Sequence, residues 1–325
     1  MSNDICFLAE FADGVASRSA MELAAGAREL AAQSGGATVA LAYGPGAAAG
    51  AAGLGAAGAS RAVVLSDTNV PAVTLAVAAA AAVRGAHTLL APATPNGRDL
   101  AGALVGLLGV PAFGPVRAAR IEGGRLLTEQ ATLQGTVITV SQPADGAPQP
   151  SVVLVLSGTF TPLEGGTGKA VVSQAGGVDA GPLGQARIAE SHPAEAAVAN
   201  LEEASMIVAG GRGVGSADGF APLHELAAVL GGAVGASRAA ADAGWVPYQL
   251  QIGQTGKVVK PALYVACGIS GAIQHRVGMQ TAQNVVAINK DPDAPIGEFA
   301  DLFVVGDLFA IVPRLTAEIR RRAGG

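Results

Sequence analysis

Aromatic side chains make up only 4% of this 325-residue chain and charged ones 14%, and cysteine occurs twice. Each scarcity excludes something. Cys6 and Cys267 stand in opposite halves, with no Cys-x-x-Cys pair and no clustering of the four histidines, so neither a disulfide framework nor a zinc site is expected and the compartment reads as reducing. The 20 Lys and Arg residues are scattered singly among 25 acidic ones, for a net charge of -5, which offers no basic stripe to nucleic acid and no polybasic patch to a membrane. Long hydrophobic runs are missing too, although half the residues are hydrophobic. The longest such stretch, 73–83, is bracketed by Pro71 and Arg84 and falls short of the roughly 20 residues a spanning helix needs. No cationic or Arg-rich leader opens the chain, so the expected location is cytoplasmic.

What the chain has in plenty is glycine, 46 residues, which favours short turns and close packing of helices on sheets. Its length exceeds the usual size of one core, so two domains are expected. From residue 5 to about 110, strand-like and helix-like pieces alternate: strands at 5–9, 38–43, 62–65 and 88–91, helices at 21–33, 73–83 and 100–108. Such βαβα alternation predicts a parallel sheet. Segments 118–122, 125–131 and 136–141 are short and turn-linked, which predicts antiparallel hairpins, and an apolar strand follows at 152–156. The polar, proline-broken stretch 176–200 is the candidate boundary. A second α/β unit follows, with strands at 206–209, 263–266, 285–288 and 303–306 and helices at 223–230, 270–277 and 308–321. The fold expected is therefore α/β with two parallel-sheet domains, 1–195 and 196–325, the second doubly wound.

Two phosphate-loop lookalikes fail on chemistry. Gly165-Gly166-Thr167-Gly168-Lys169-Ala170 has Leu163 in place of the first glycine and Ala170 in place of the magnesium-binding hydroxyl. Gly44-Pro45-Gly46 follows a strand, with Asp67 at the distance of a ribose partner, but Pro45 and the Ala/Gly run after it read better as a plain turn. Of the histidines, His87, His192 and His224 read as structural or surface residues.

The informative region is 210–275, where polar glycine turns recur at strand ends. Gly210-Gly211-Arg212-Gly213 comes first; Ser237 and Arg238, then Gln254 and Thr255, and finally Ser270 to His275 follow. Any one has a bland reading as a cap, turn or solvated charge. Together they offer donors that a packed interior would leave unpaired, at the carboxyl edge of one sheet where α/β proteins bind ligands. A helix opening at Ser270-Gly271 would aim free N–H groups at a pyrophosphate. Asn289 and Asp307 follow strands and suit ribose or adenine edges, and Asp307 equally suits the cap of the last helix. Trp245 and Tyr248 fit a shield for an aromatic ligand and simple loop packing equally well. No general base, nucleophile or metal site is evident, so a catalytic residue is not expected.

Segments 209–213, 234–244, 251–257, 268–275 and 286–292, with Asp307-Leu308-Phe309, closely resemble the α subunit of electron-transfer flavoproteins. The similarity covers nearly all of 205–315, including Ala-Ile-Asn-Lys-Asp-Pro at 287–292, and is diffuse over 1–195. It implies a heterodimer with a β subunit, in which this chain's C-terminal domain holds most of one FAD and swings to meet redox partners. By the same resemblance FAD contacts would come from Arg212, Ser237, Ile252, Gly253, Gln254, Thr255, Ser270, Gly271, Ala272, Ile273, Gln274, His275, Asn289, Asp307 and Leu308. Thr255 would bond the flavin N5, Arg238 would lie beside the ring and His275 would face its O2 edge. Arg238 and His275 would then stabilise the negative charge that one-electron reduction spreads over N1 and O2. The departures are Arg276, where an apolar residue is usual, and Trp245 in place of Phe; Arg276 bears on the local potential or a partner surface.

The role so implied is an electron carrier rather than an enzyme. It would take single electrons from flavin dehydrogenases, such as acyl-CoA dehydrogenases, and hand them to a quinone-linked acceptor. Alternatives are the α subunit of a bifurcating complex oxidising NADH and a non-redox nucleotide-binding module.

Overall fold

The computed structural model describes residues 2–133, 137–163, 165–176, 181–190, 201–202 and 204–323. By backbone packing the chain divides into two compact units, one of residues 1–132 and 136–191, the other of 133–135 and 192–325. The expected 195/196 boundary falls within 191–200, together with His192, and lies outside the described residues. No described helix is long and apolar enough to cross a membrane.

The first unit runs β1 (Ile5–Ala12), β2 (Val15–Ala16), α1 (Arg18–Ser34), β3 (Thr38–Tyr43), α2 (Ala47–Gly50), β4 (Arg61–Ser66), α3 (Ala76–Ala82), β5 (Thr88–Pro92) and α4 (Pro95–Leu108). It continues with β6 (Ala112–Val116), β7 (Ala118–Glu122), β8 (Arg125–Thr132), β9 (Val137–Ser141), β10 (Ser151–Val155) and β11 (Val171–Gln174). The main sheet is parallel in the order β11-β4-β3-β1-β5-β10-β6, with β2 folded back on β1. Alternate residues of β1 feed two cores: Ile5, Phe7 and Ala9 face one side, Cys6 and Leu8 the other. Both faces are thus covered, which is why the strands read as continuous apolar runs. The expected hairpins form a separate antiparallel sheet β7-β8-β9, turned at Gly123-Gly124 with φ of 57° and 76° as a primed turn requires.

Both phosphate-loop lookalikes prove structural. A Cβ on Gly166 would strike the Ala56 carbonyl, so that loop is glycine-rich to pack on its neighbour. Asp67 Oδ1 accepts the Ala48 N–H at 2.7 Å and so secures the first turn of α2. His87 is buried between Thr88 and the Gly124 carbonyl.

The second unit runs β12 (Met206–Gly210), α5 (Ala221–Leu230), β13 (Ala233–Ala236), α6 (Arg238–Asp242), β14 (Leu263–Cys267), α7 (Ile273–Met279), β15 (Val285–Asn289), β16 (Leu302–Val305) and α8 (Leu308–Ala323). Its five strands are parallel in the order β13-β12-β14-β15-β16. The chain leaves β12 for one edge and returns through β14 toward the other, so the connections after these two strands diverge and open a crevice between them. Tyr264, Phe220, Leu223 and Leu226 anchor the core of this unit.

Candidate functional site

The crevice between β12 and β14 is the floor of a cleft of about 1030 Å³, at the upper end of the roughly 300–1,000 Å³ usual for ligand pockets. Glycine makes the floor. A Cβ on Gly211 would meet the Gly268 carbonyl and lie 2.7 Å from Ile269 Cα, and one on Gly213 would lie 2.8 Å from Gly268 Cα. The loops after the two central strands touch backbone to backbone, and any side chain there would force them apart.

Every expected turn contributes to the walls. Arg212 and Gly213 follow β12, Ser237 and Arg238 follow β13, and Gln254 and Thr255 come from the excursion before β14. Ser270, Ala272, Gln274 and His275 follow β14, and Asn289 ends β15. Several of these side chains have no partner among the described residues. Ser237 occupies the N-cap of α6 yet makes no capping bond. Among the described residues, no hydrogen bond or ion pair engages the Arg212, Ser237, Gln254, Ser270 or Gln274 side chains. Thr255 Oγ1 accepts from Gln251 Nε2 at 2.9 Å, which leaves the threonine hydrogen to donate. Asn289 is more committed: its Nδ2 donates to the Ile269 carbonyl at 2.9 Å and its Oδ1 accepts the Asp291 N–H at 3.1 Å.

Six of the expected contact residues do not line the cleft. Ile252 is fully buried in the core, and Leu308 nearly so. Gly253 and Gly271 shape backbone, with φ of 146° and 85°. Ile273 is 58% exposed. Asp307 Oδ1 accepts the Phe309 N–H at 3.0 Å and its Oδ2 lies 3.4 Å from Lys290, so its cap role is the one seen. Conversely, Asp242, Asp291 and Pro295 line the cleft without having been expected. Asp242 had a readable signal, because it lies four residues after Arg238 on the same helix.

Two expectations need correction. The helix expected from Ser270 begins at Ile273, because Gly271 sits in the left-handed region and breaks the helical run. Ser270 and Gly271 therefore belong to the loop, and the helix cannot present N–H groups from them. His275 does not present a cation or a free donor. It is buried, with Nδ1 3.0 Å from the Ile252 carbonyl and Nε2 2.9 Å from the Tyr264 hydroxyl. A carbonyl only accepts, so Nδ1 carries the proton and Nε2 accepts from tyrosine. Burial, only partly countered by the Ile252 bond, lowers the imidazole from 6.5 to about 4. Arg276 places its guanidinium 4.9 Å above the Phe299 ring, a local use for this unusual residue.

Comparison with known proteins decides the family. A profile of the electron transfer flavoprotein domain matches residues 5–180, and one of the electron transfer flavoprotein FAD-binding domain matches residues 200–280. The electron transfer flavoprotein subunit alpha of Mycobacterium tuberculosis (strain H37Rv) is 42% identical over 348 aligned positions, covering 99% of each chain. That of Mycobacterium leprae is 43% identical over 269 positions, 78% of this chain and 77% of the relative. The Bacillus subtilis protein of the same name is 64% identical over 122 positions, 38% of each. The chain belongs to the electron transfer flavoprotein α-subunit family.

Within this α subunit the cleft lies in the FAD-binding domain, and its residues fit that cofactor on two counts. The glycine floor admits a bulky group against bare backbone. The walls carry hydroxyl, amide and guanidinium donors without a partner among the described residues, which suit phosphate, ribose and heteroaromatic acceptors. Cys267, beside this floor, is not a reactive thiol, since burial pushes it up to about 12.

Proposed function

We propose that the chain is the FAD-holding α subunit of a heterodimeric electron carrier, completed by a β subunit. It takes single electrons from flavin dehydrogenases, acyl-CoA dehydrogenases among them, and passes them to a quinone-linked oxidoreductase from a cytoplasmic location. The observation that carries this reading is the set of cleft donors with no partner among the described residues, gathered on a glycine floor at the switch point of the sheet. FAD, when bound, supplies the redox chemistry.

The residues of this chain divide the remaining work. Arg212, with no protein counter-ion among the described residues, holds the anionic part of the cofactor, with Ser237 and Ser270 as neutral donors. Thr255, its oxygen occupied by Gln251, donates to a ring acceptor. Arg238 supplies positive charge where reduction adds negative charge. Asn289, tied to Ile269 and Asp291, fixes the loop after β15 rather than acting as a free donor.

Co-purification with the β subunit, followed by an absorption spectrum and a flavin count, tests the reading. One FAD per heterodimer supports it, two flavins favour a bifurcating complex, and a colourless assembly after flavin supplementation refutes it. Arg212→Ala should weaken FAD retention roughly tenfold to a hundredfold, the loss of a charge-assisted hydrogen bond. Ultrafiltration against free flavin measures this, and unchanged retention would remove Arg212 from the binding set.

A further inference from the structure

The two cleft arginines are not equivalent. Arg212 has no partner among the described residues, whereas Arg238 is tethered. Its Nε lies 3.2 Å from Asp242 Oδ2, one turn along α6, and the other carboxylate oxygen accepts from the Tyr248 hydroxyl at 3.1 Å. That bond raises the Tyr248 phenol above its ordinary value, as expected of a donor to a carboxylate. Arg238 and Asp242 both line the cleft, with side chains 66% and 47% exposed. An ion pair so exposed is weak and exchangeable. Tyr248 engages the carboxylate through its second oxygen, whereas among the described residues Arg238 makes no other hydrogen bond or ion pair, so its remaining N–H groups can turn to another anion.

We propose that Asp242 is a positioning residue that tethers Arg238 at the cleft wall and competes for it with the negative charge placed on the bound flavin by reduction. The inference rests on the FAD reading given above. With the oxidised cofactor, the carboxylate partly neutralises Arg238. On reduction, the guanidinium is drawn from an exposed partner toward a less hydrated one. Asp242 therefore opposes reduction, and it acts through Arg238 rather than as an independent charge.

The test uses the heterodimer co-expressed with its β subunit and reads the midpoint potential for uptake of the first electron. Asp242→Asn should favour reduction by roughly two- to fivefold, the worth of an exposed pair. At about 59 mV per tenfold this is a rise of 20–40 mV. In an Arg238→Ala background the same change should leave the potential where it was. An equal shift in both backgrounds would make Asp242 a bystander charge and overturn the proposal, as would no shift in either. Asp242→Ser, with the same expected pattern, serves if the asparagine variant misfolds. A wild-type heterodimer that lacks flavin would instead sink the FAD reading itself, a failure distinct from a potential that does not respond.

Discussion

Alanine at Gly271 is expected to remove the bound flavin and to destabilise the C-terminal unit by about 2–5 kcal/mol. Two costs add at this position. The backbone has φ of 85°, which an L-residue adopts at a penalty, and the new Cβ would lie 2.5–2.7 Å from the backbone N, Cα and Cβ of Ile296. Relief would require the loop after β14 to lift from the segment after β15, and those two loops carry Ser270, Ala272, Asp291 and Pro295 of the cleft wall. Gly231→Ala separates the costs, since Gly231 also has a positive φ, 64°, but nothing within 4 Å of a Cβ. It should lose only the conformational part, about 1–2 kcal/mol, and keep the flavin. Trp245 is the single tryptophan of the chain and packs against the C-terminal core, so its fluorescence during urea unfolding reports on this unit. Equal losses in the two variants, with flavin retained in both, would show that Gly271 shapes no part of the cleft.

Several of the strands read from the sequence are buried on both sides. The runs at 5–9, 38–43, 88–91, 206–209 and 263–266 are interior strands whose apolar residues face helices on either side, and burial leaves a continuous signature. Three strands of the two parallel sheets, β6, β11 and β13, were not legible, and all three lie at sheet edges. β6 contains Gly114 and Pro115, tolerated because an edge strand leaves one row of N–H groups unpaired. β11 has four exposed residues and so no apolar pattern. β13 is Ala-Val-Gly-Ala, too small in side chains to stand out, because a Cβ on Gly235 would collide with Ile252. These three are specified by the strand they pair with, which a local pattern does not contain, whereas the edge strand β16 keeps a legible apolar run, Leu302-Phe303-Val304-Val305.

In the cleft, the turns were legible because donors concentrated at strand ends have no other use, but directions were not. Ile252 and Leu308 lie in segments that shape the site, yet their side chains point into the core, and the one-dimensional record does not separate the two. The Arg238–Asp242 pair was available as an i,i+4 spacing, whereas Tyr248 joins it through a loop. His275 shows the limit most clearly. A histidine among donors reads as one more donor, and only its contacts with Tyr264 and Ile252 reveal that its hydrogen-bonding capacity is spent inside the protein.

That arrangement makes the C-terminal unit acid-sensitive in a defined window. The unfolded chain protonates His275 near 6.5, while the folded protein resists until about 4. As pH falls through this interval the unfolded state takes up a proton that the native state refuses, so stability drops, and below about 4 this residue removes no more. The depressed value corresponds to a loss on the order of 3 kcal/mol across the window. Protonation would also place a hydrogen on Nε2, where the Tyr264 hydroxyl now donates, and the fully buried phenol would lose its acceptor. Urea unfolding followed by Trp245 fluorescence between pH 7.5 and 4, on wild type and His275→Gln, isolates the effect, because glutamine has no proton to gain. The wild-type midpoint should fall more steeply between about pH 6.5 and 4, and the curves should run parallel above about 7. Parallel curves throughout would mean that His275 is protonated in the folded state as readily as in the unfolded one. Its positive charge would then appear in the native protein near pH 6.5 rather than 4.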